Sequence, residues 1–231
     1  LVPTILFVVR ITPAEMGLCP LGFEPQSQSS DSQQVWGLTK REALGTRSFW
    51  FLMLGLFCVG LGAAGMQQHT IPYLTDIGYS NAFANSIVSG LMIAMIVGKI
   101  GLGAIFDRLG TLKGSILGGS VLLISAVLLH FAHMPAIPWA YAVFIGFCSG
   151  VGTVSPNYLA GAYFGSREFP LIFSVVTMAS SLGVAIGNPL SGWIFDVTGS
   201  YIRAWDLYVV SGTLCLIFLV LSNLSSRRLK I

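Results

Sequence analysis

Apolar residues in this chain run in long blocks separated by short polar breaks, with no strict alternation along them. Six blocks fall near residues 49–74, 83–106, 114–133, 137–164, 170–195 and 206–223. A helix crosses the hydrocarbon core in about 20 residues, so each block predicts a membrane-spanning helix. Membrane β-strands would show short alternating segments instead. The blocks are rich in Gly, Ala and Ser, the residues that let membrane helices approach closely. Residues 1–9 are also apolar but too short to span, and Arg10 follows at once. No basic region precedes them and no small-residue cleavage site follows, so they read as the end of a truncated transmembrane helix and the chain as a fragment. Residues 10–47 are rich in Pro, Gln and Ser and predict a cytoplasmic linker. The expected layout is a six-helix transmembrane part over 48–224 and a cytoplasmic tail over 225–231.

Composition supports the membrane reading. Of the residues, 54% are hydrophobic and 9% charged, against roughly 25% charged in soluble domains. Placement of the charge says more than its total. Arg10, Lys40, Arg41, Arg47, Arg108, Lys113, Arg167, Arg227, Arg228 and Lys230 fall on one side of the predicted topology, and only Arg203 on the other. Basic residues collect on the cytoplasmic face. Both ends are therefore expected inside the cell, in a plasma or inner membrane. Asn223-Leu-Ser225 fits the glycosylation pattern but falls on that inner side. Basic clusters interleaved with aromatics are missing, so no nucleic-acid partner is expected. Cys19, Cys58, Cys148 and Cys215 are scattered and read as small hydrophobes, not as metal ligands.

An internal repeat is visible. Gly103-Ala-Ile-Phe-Asp107-Arg-Leu-Gly110 and Gly192-Trp-Ile-Phe-Asp196-Val-Thr-Gly199 match at five positions, 89 residues apart. The second span runs inward and the fifth outward, so the related segments have opposite topology. Such three-plus-three inverted repeats build secondary transporters.

Gly103 to Lys113 (GAIFDRLGTLK) resembles the major facilitator signature Gly-x-x-x-Asp-Arg-x-Gly-x-x-Lys/Arg. The segment from Gly187 to Tyr201, the linker stretch Pro13 to Pro20 and the entry Arg41 to Trp50 resemble the monocarboxylate and oxalate/formate branch of that superfamily. The resemblance implies an all-α membrane fold, a major facilitator half containing helices seven to twelve, and a missing N-terminal half as partner. It also implies transport of a small molecule by alternating access, coupled to a proton or a counter-anion. Gly103, Asp107, Arg108, Gly110 and Lys113, with Asp196 in the repeat, are then gating residues. Asp107 is expected to accept hydrogen bonds from the start of the next helix.

Lys99 is the residue best suited to chemistry. It lies eight residues before Asp107, about 12 Å into the membrane. A charge at depth costs roughly 2.5–3.5 kcal/mol and usually faces a water-filled cavity. Its ammonium can bind an anionic substrate such as a carboxylate; the plainer reading is snorkelling to the headgroups. Adding the repeat offset of 89 leads to Asn188, also polar. In the branch resembled, a basic residue on the eighth helix meets the substrate carboxylate, as Lys99 would. Two positions depart from that branch. The fifth span has no basic residue, and Met95 stands where proton-coupled carriers place an Asp. A doubly charged substrate and that proton relay therefore do not follow. His69, in the polar cluster Gln67-Gln68-His69, is a candidate for proton coupling or an interfacial histidine, with Tyr73 close behind. Asn157, after Pro156, can line the cavity or mark a packing kink.

Three other readings compete with a transporter. No HExxH, CxxC, GxSxG or P-loop supports a membrane enzyme, and no cofactor or catalytic residue is expected. A channel would show rings of polar residues about a symmetric pore. An inactive truncated product would carry the same residues.

Overall fold

The computed structural model describes residues 36–227. The predicted truncated helix, most of the linker and the last residues of the tail lie outside that range. Seven helices follow in order: α1 Lys40–Leu44, α2 Arg47–Gln68, α3 Thr70–Asp76, α4 Asn81–His130, α5 Ile137–Phe164, α6 Phe169–Thr198 and α7 Ile202–Ser226. Five of them, α2 and α4 to α7, are long and apolar enough to cross a membrane. Among the described residues extended pairing is confined to one bridge, Gly37 with Gly165. Polar side chains start the helices where the sequence offers them. Thr39 and Glu42 form a capping box on α1, and Thr46 and Ser80 cap α2 and α4. The Thr39 backbone N–H holds the Glu42 carboxyl below its ordinary range.

Two boundaries differ from the sequence reading. The first block is divided at His69, whose ψ of 11° ends α2 before α3 continues. The second and third blocks are joined as one element of 50 residues, interrupted at Gly110 with φ 77° and ψ 177°. A straight helix of that length would measure about 75 Å, more than twice the hydrocarbon core. The element is instead two arms, 81–109 and 111–130, that reverse at Gly110. The contacts require it. Tyr79, just before the first arm, donates its hydroxyl to the carbonyls of Ala132 and His133, just after the second, at 3.0 Å each. Positive φ is open to glycine and strained for other residues, so the reversal is written into this position.

The bundle has two distinct ends. At one, Ser48 and Ser222 exchange hydroxyl-to-carbonyl hydrogen bonds at 2.9 and 2.8 Å. Asn223 donates its amide there to Thr111 and Tyr163 at 2.6 and 3.0 Å. Leu38 N–H donates to the Phe164 carbonyl, and Lys40 N–H to the Glu168 carboxylate. Residues 36–48, the Gly110 turn, the α5–α6 connection and the end of α7 thus gather on one face, with Arg41, Arg47 and Arg167. At the other end Tyr73 donates to the Leu129 carbonyl at 2.7 Å, and Tyr201 stacks on Trp205 and Phe195. The His130 ring there is hydrogen-bonded to the Asp206 carboxylate at 3.0 Å.

Glycines set the helix spacing. A Cβ on Gly98 of the first α4 arm would lie 2.6 Å from the Phe147 Cα of α5, and one on Gly146 of α5 equally close to the Ala94 Cβ. Gly183 and Gly187 of α6 rest in the same way on the α2 backbone at Phe57 and Leu61. Ala94 and Gly98 stand 89 positions before Gly183 and Gly187. The second α4 arm packs on α7 through Gly119 against Leu216 and Gly212 against Leu123. Gly103, by contrast, has open space where a Cβ would be.

Gly98→Val is expected to lower thermal stability in detergent, by about 1–3 kcal/mol of overpacking, while Gly103→Ala leaves the melting temperature unchanged. Equal melting curves for the two would show that the close approach of α4 to α5 is not stability-limiting.

Candidate functional site

The two glycine-backed pairs, α4 with α5 and α2 with α6, leave an open groove where α2, α5 and α6 meet. The groove encloses about 280 Å³. Its room comes from small residues, among them Gly60, Ala63, Ala64 and Gly152. Its polarity comes from Gln67 on α2, Ser149 and Thr153 on α5 and Ser180 on α6. Thr153 returns its hydroxyl to the Ser149 carbonyl at 3.1 Å. The side chains of Gln67, Ser149 and Ser180 make no hydrogen bond among the described residues, which leaves them available to a ligand.

Lys99 is exposed and forms no ion pair among the described residues. Its Cα lies beside Gly150, between Ser149 and Thr153 in the α5 sequence. Gly101 faces the Phe147 ring on the far side of α5, next to an apolar hollow lined by Ile105, Val143 and Phe144. Two residues turn a helix by about 200°, so Lys99 stands on the opposite flank from Gly101. Asn157 is exposed one turn beyond Thr153 and continues the stripe Ser149, Thr153, Asn157. Asn188 follows Ser180 and Val184 at the same four-residue spacing on α6. It is half-buried, and its side-chain Oδ1 is buried with no hydrogen-bond partner.

His69 and Tyr73, expected as substrate contacts, bond to other residues of the bundle. Both ring nitrogens of His69 are engaged. Nε2 lies 3.0 Å from the Asn188 backbone carbonyl and Nδ1 3.2 Å from the Tyr201 hydroxyl. A carbonyl only accepts, so Nε2 carries the hydrogen and donates it to Asn188. Tyr73 is buried, with its hydroxyl on the Leu129 carbonyl and its ring edge-on to Trp205. Its aromatic surroundings hold it in the core.

The signature residues surround the Gly110 turn. Asp107, Arg108 and Lys113 are exposed there. Asp107 accepts no hydrogen bond from the second arm among the described residues; the positive φ of Gly110 turns the chain without a side-chain cap. Asp196 is likewise exposed, three residues before Gly199, whose φ is 68° and whose N–H closes α6 on the Phe195 carbonyl at 2.8 Å. The groove residues Gln67, Ser149, Thr153 and Ser180 were not singled out as a binding set by sequence reasoning. Their signal was the four-residue spacing of Ser149, Thr153 and Asn157. Three of the four cysteines, Cys58, Cys148 and Cys215, are free and buried, as small hydrophobes are.

A partly polar groove between helices long and apolar enough to cross a membrane is the arrangement of a polytopic membrane protein. Residues 52–228 match the Major Facilitator Superfamily, and the chain belongs to that family of multi-pass membrane proteins. It is similar to monocarboxylate transporter 12 of Xenopus laevis, 25% identical over 226 residues, covering 90% of this chain and 48% of that protein. It is 29% identical over 179 residues to the uncharacterized MFS-type transporter YttB of Bacillus subtilis, covering 74% of this chain and 42% of that one. A gallate transporter of Pseudomonas putida is 22% identical over 169 residues, covering 71% and 36%. The chain spans about half the length, or less, of these relatives. The relatives named here are described as transporters.

Cysteines placed at Lys99 and Thr153 are expected to react with a charged, water-borne thiol reagent, while buried Cys148 and Cys215 stay unlabelled under native conditions. Labelling followed by intact-mass measurement checks this; protection of both new cysteines would remove Lys99 and Thr153 from a water-filled groove.

Proposed function

We propose that this chain is the C-terminal six-span half of a secondary transporter that carries a small organic anion, of the monocarboxylate type, by alternating access. The six crossings are α2 with α3, the two arms of α4, then α5, α6 and α7. The ends that carry Arg41, Arg47, Arg108, Arg167 and Arg227 face the cytoplasm of a plasma or inner membrane, in line with the preference of basic residues for that side. The inverted repeat is supported by more than residue matches. Positions 94 and 98 pack α4 on α5, and positions 183 and 187, each 89 later, pack α6 on α2. Gly110 and Gly199, the same distance apart, both take positive φ.

Lys99 carries the substrate assignment. An ammonium inside an apolar span, without a carboxylate partner among the described residues, is stable only beside water or an anion. It stands on the flank of α4 next to the two hydroxyl positions of α5. A carboxylate held there gains an ion pair from Lys99, and the amide of Asn188 and the hydroxyls of Ser149 and Ser180 supply neutral hydrogen bonds. One positive charge fits one carboxylate. Two relatives are named for monocarboxylates and for gallate, itself a carboxylate, which favours the same class. The facing wall of the site belongs to an N-terminal half, which closes the groove on one side of the membrane at a time. The signature turn at Gly110 sits at the inner gate, where Asp107, Arg108 and Lys113 are free to pair with that half. Proton symport and anion exchange both suit such a site.

The test is uptake of labelled lactate and benzoate by a complete transporter containing this half, normalised to surface expression. Lys99→Ala is expected to remove most uptake, about ten-fold or more for a lost charge-assisted bond, and Lys99→Arg to retain part of it. Unchanged uptake in both variants would overturn the assignment of Lys99.

A further inference from the structure

Pro189 lies within α6, directly after Asn188. A proline within a helix has no N–H to donate and its ring presses on the carbonyl four residues back, so the turn around it is loosened. Two side chains from two other helices meet α6 at this point. Tyr208 of α7 donates its hydroxyl to the Gly187 carbonyl at 2.9 Å and also bonds the Ser191 hydroxyl. His69, at the end of α2, donates Nε2–H to the Asn188 carbonyl at 3.0 Å, and its Nδ1 is hydrogen-bonded to the Tyr201 hydroxyl. Gly187 and Asn188 are consecutive, and both immediately precede the proline. Between these two bonds α6 is pressed on the α2 backbone, because Gly187 rests on Leu61. Gly65 gives Tyr208 the space to reach across, since a Cβ at Gly65 would collide with the Tyr208 hydroxyl.

We propose that His69 and Tyr208 are positioning residues: they hold the consecutive carbonyls before Pro189 and so fix the direction in which the Asn188 amide is presented. Neither needs to touch the solute. This inference rests on the reading that Asn188 belongs to the transport site. It gives His69 a different task from coupling, and it explains why a buried tyrosine on α7, a helix that contributes no residue to the groove lining, serves the site. It also accounts for the pairing of hydroxyls at Ser191 and Tyr208: the Ser191 hydroxyl, one turn after Gly187, completes a clamp that spans the proline from both sides.

The experiment compares Tyr208→Phe, His69→Ala, His69→Gln and Asn188→Ala in a complete transporter, with KM and maximal rate per surface molecule for labelled lactate and benzoate. Tyr208→Phe and His69→Ala are each expected to raise KM by about three- to ten-fold with the maximal rate little changed. His69→Gln, whose amide can still donate to the Asn188 carbonyl, is expected to restore KM. Tyr208→Phe added to Asn188→Ala is expected to bring no further rise, because both act through the same amide. Wild-type KM in Tyr208→Phe and His69→Ala, or effects that multiply with Asn188→Ala, overturns the proposal. If Asn188→Ala itself leaves KM unchanged while Lys99→Ala abolishes uptake, the clamp fails and the Lys99 reading stands. Unchanged uptake in Lys99→Ala marks failure of the site reading instead. Should Tyr208→Phe not reach the surface, the contrast between His69→Ala and His69→Gln decides by the same measurement.

Discussion

Helices in lipid gain no hydrophobic free energy by touching one another, because the alternative neighbour is equally apolar. What holds them is dispersion between surfaces that come very close, and closeness is limited by the Cβ atom. In this chain the limit is lifted at Gly98 and Gly146 between α4 and α5, and at Gly183 and Gly187 between α6 and α2. Two tight pairs result, and the groove is the space they leave. Its inner wall is again small, with Gly60, Ala64 and Gly152 leaving room that larger side chains would fill. The same residue type therefore sets helix spacing on one face and solute space on another.

Polar groups in such a bundle are a cost unless bonded, and most are bonded locally. Thr70, Ser125 and Thr177 return their hydroxyls to carbonyls four residues back. Others bind across helices, as Ser48 does with Ser222 and Asn223 with Tyr163. Asn223 shows how complete this can be: the residue that fits a glycosylation pattern is buried, with its amide donating to two hydroxyls. Against that background the groups without partners stand out. Gln67, Ser149, Ser180 and the Lys99 ammonium are such groups, and they lie along or beside one groove. Buried polar atoms without partners also occur away from it, at Ser115 and Trp205, so the groove is set apart by its small-residue lining together with these open groups.

The Gly110 reversal shows how a signature motif acts through its backbone. Asp107 was expected to cap the next helix, yet the turn is made by positive φ at a glycine, and the acid and its basic neighbours stay exposed. Charges so placed can exchange partners between conformations without dismantling the fold. At the opposite end the packed aromatics Tyr73, Tyr201, Trp205 and Tyr208 form a rigid cap.

Helix type and membrane insertion were legible in the chain because they depend on local composition: about 20 apolar residues suffice wherever they occur. The same holds for the breaks at Gly110 and Gly199, where glycine permits a backbone that other residues resist. Lys99 was legible too, since a charge in an apolar span needs no neighbour to be conspicuous. The division of the first span at His69 has a local signal in Pro72, which cannot donate to the Gln68 carbonyl, but the bonds that the His69 ring makes there, to residues 119 and 132 positions away, were not legible. Nor was the difference between Tyr73, locked on Leu129, and Ser149, left open, since both are polar residues in apolar spans. Sequence alone fixed which segments are helices and which charges are costly. Only the tertiary structure decided which polar side chains are satisfied, because a hydrogen-bond partner is chosen by distance in space and these partners lie far apart along the chain.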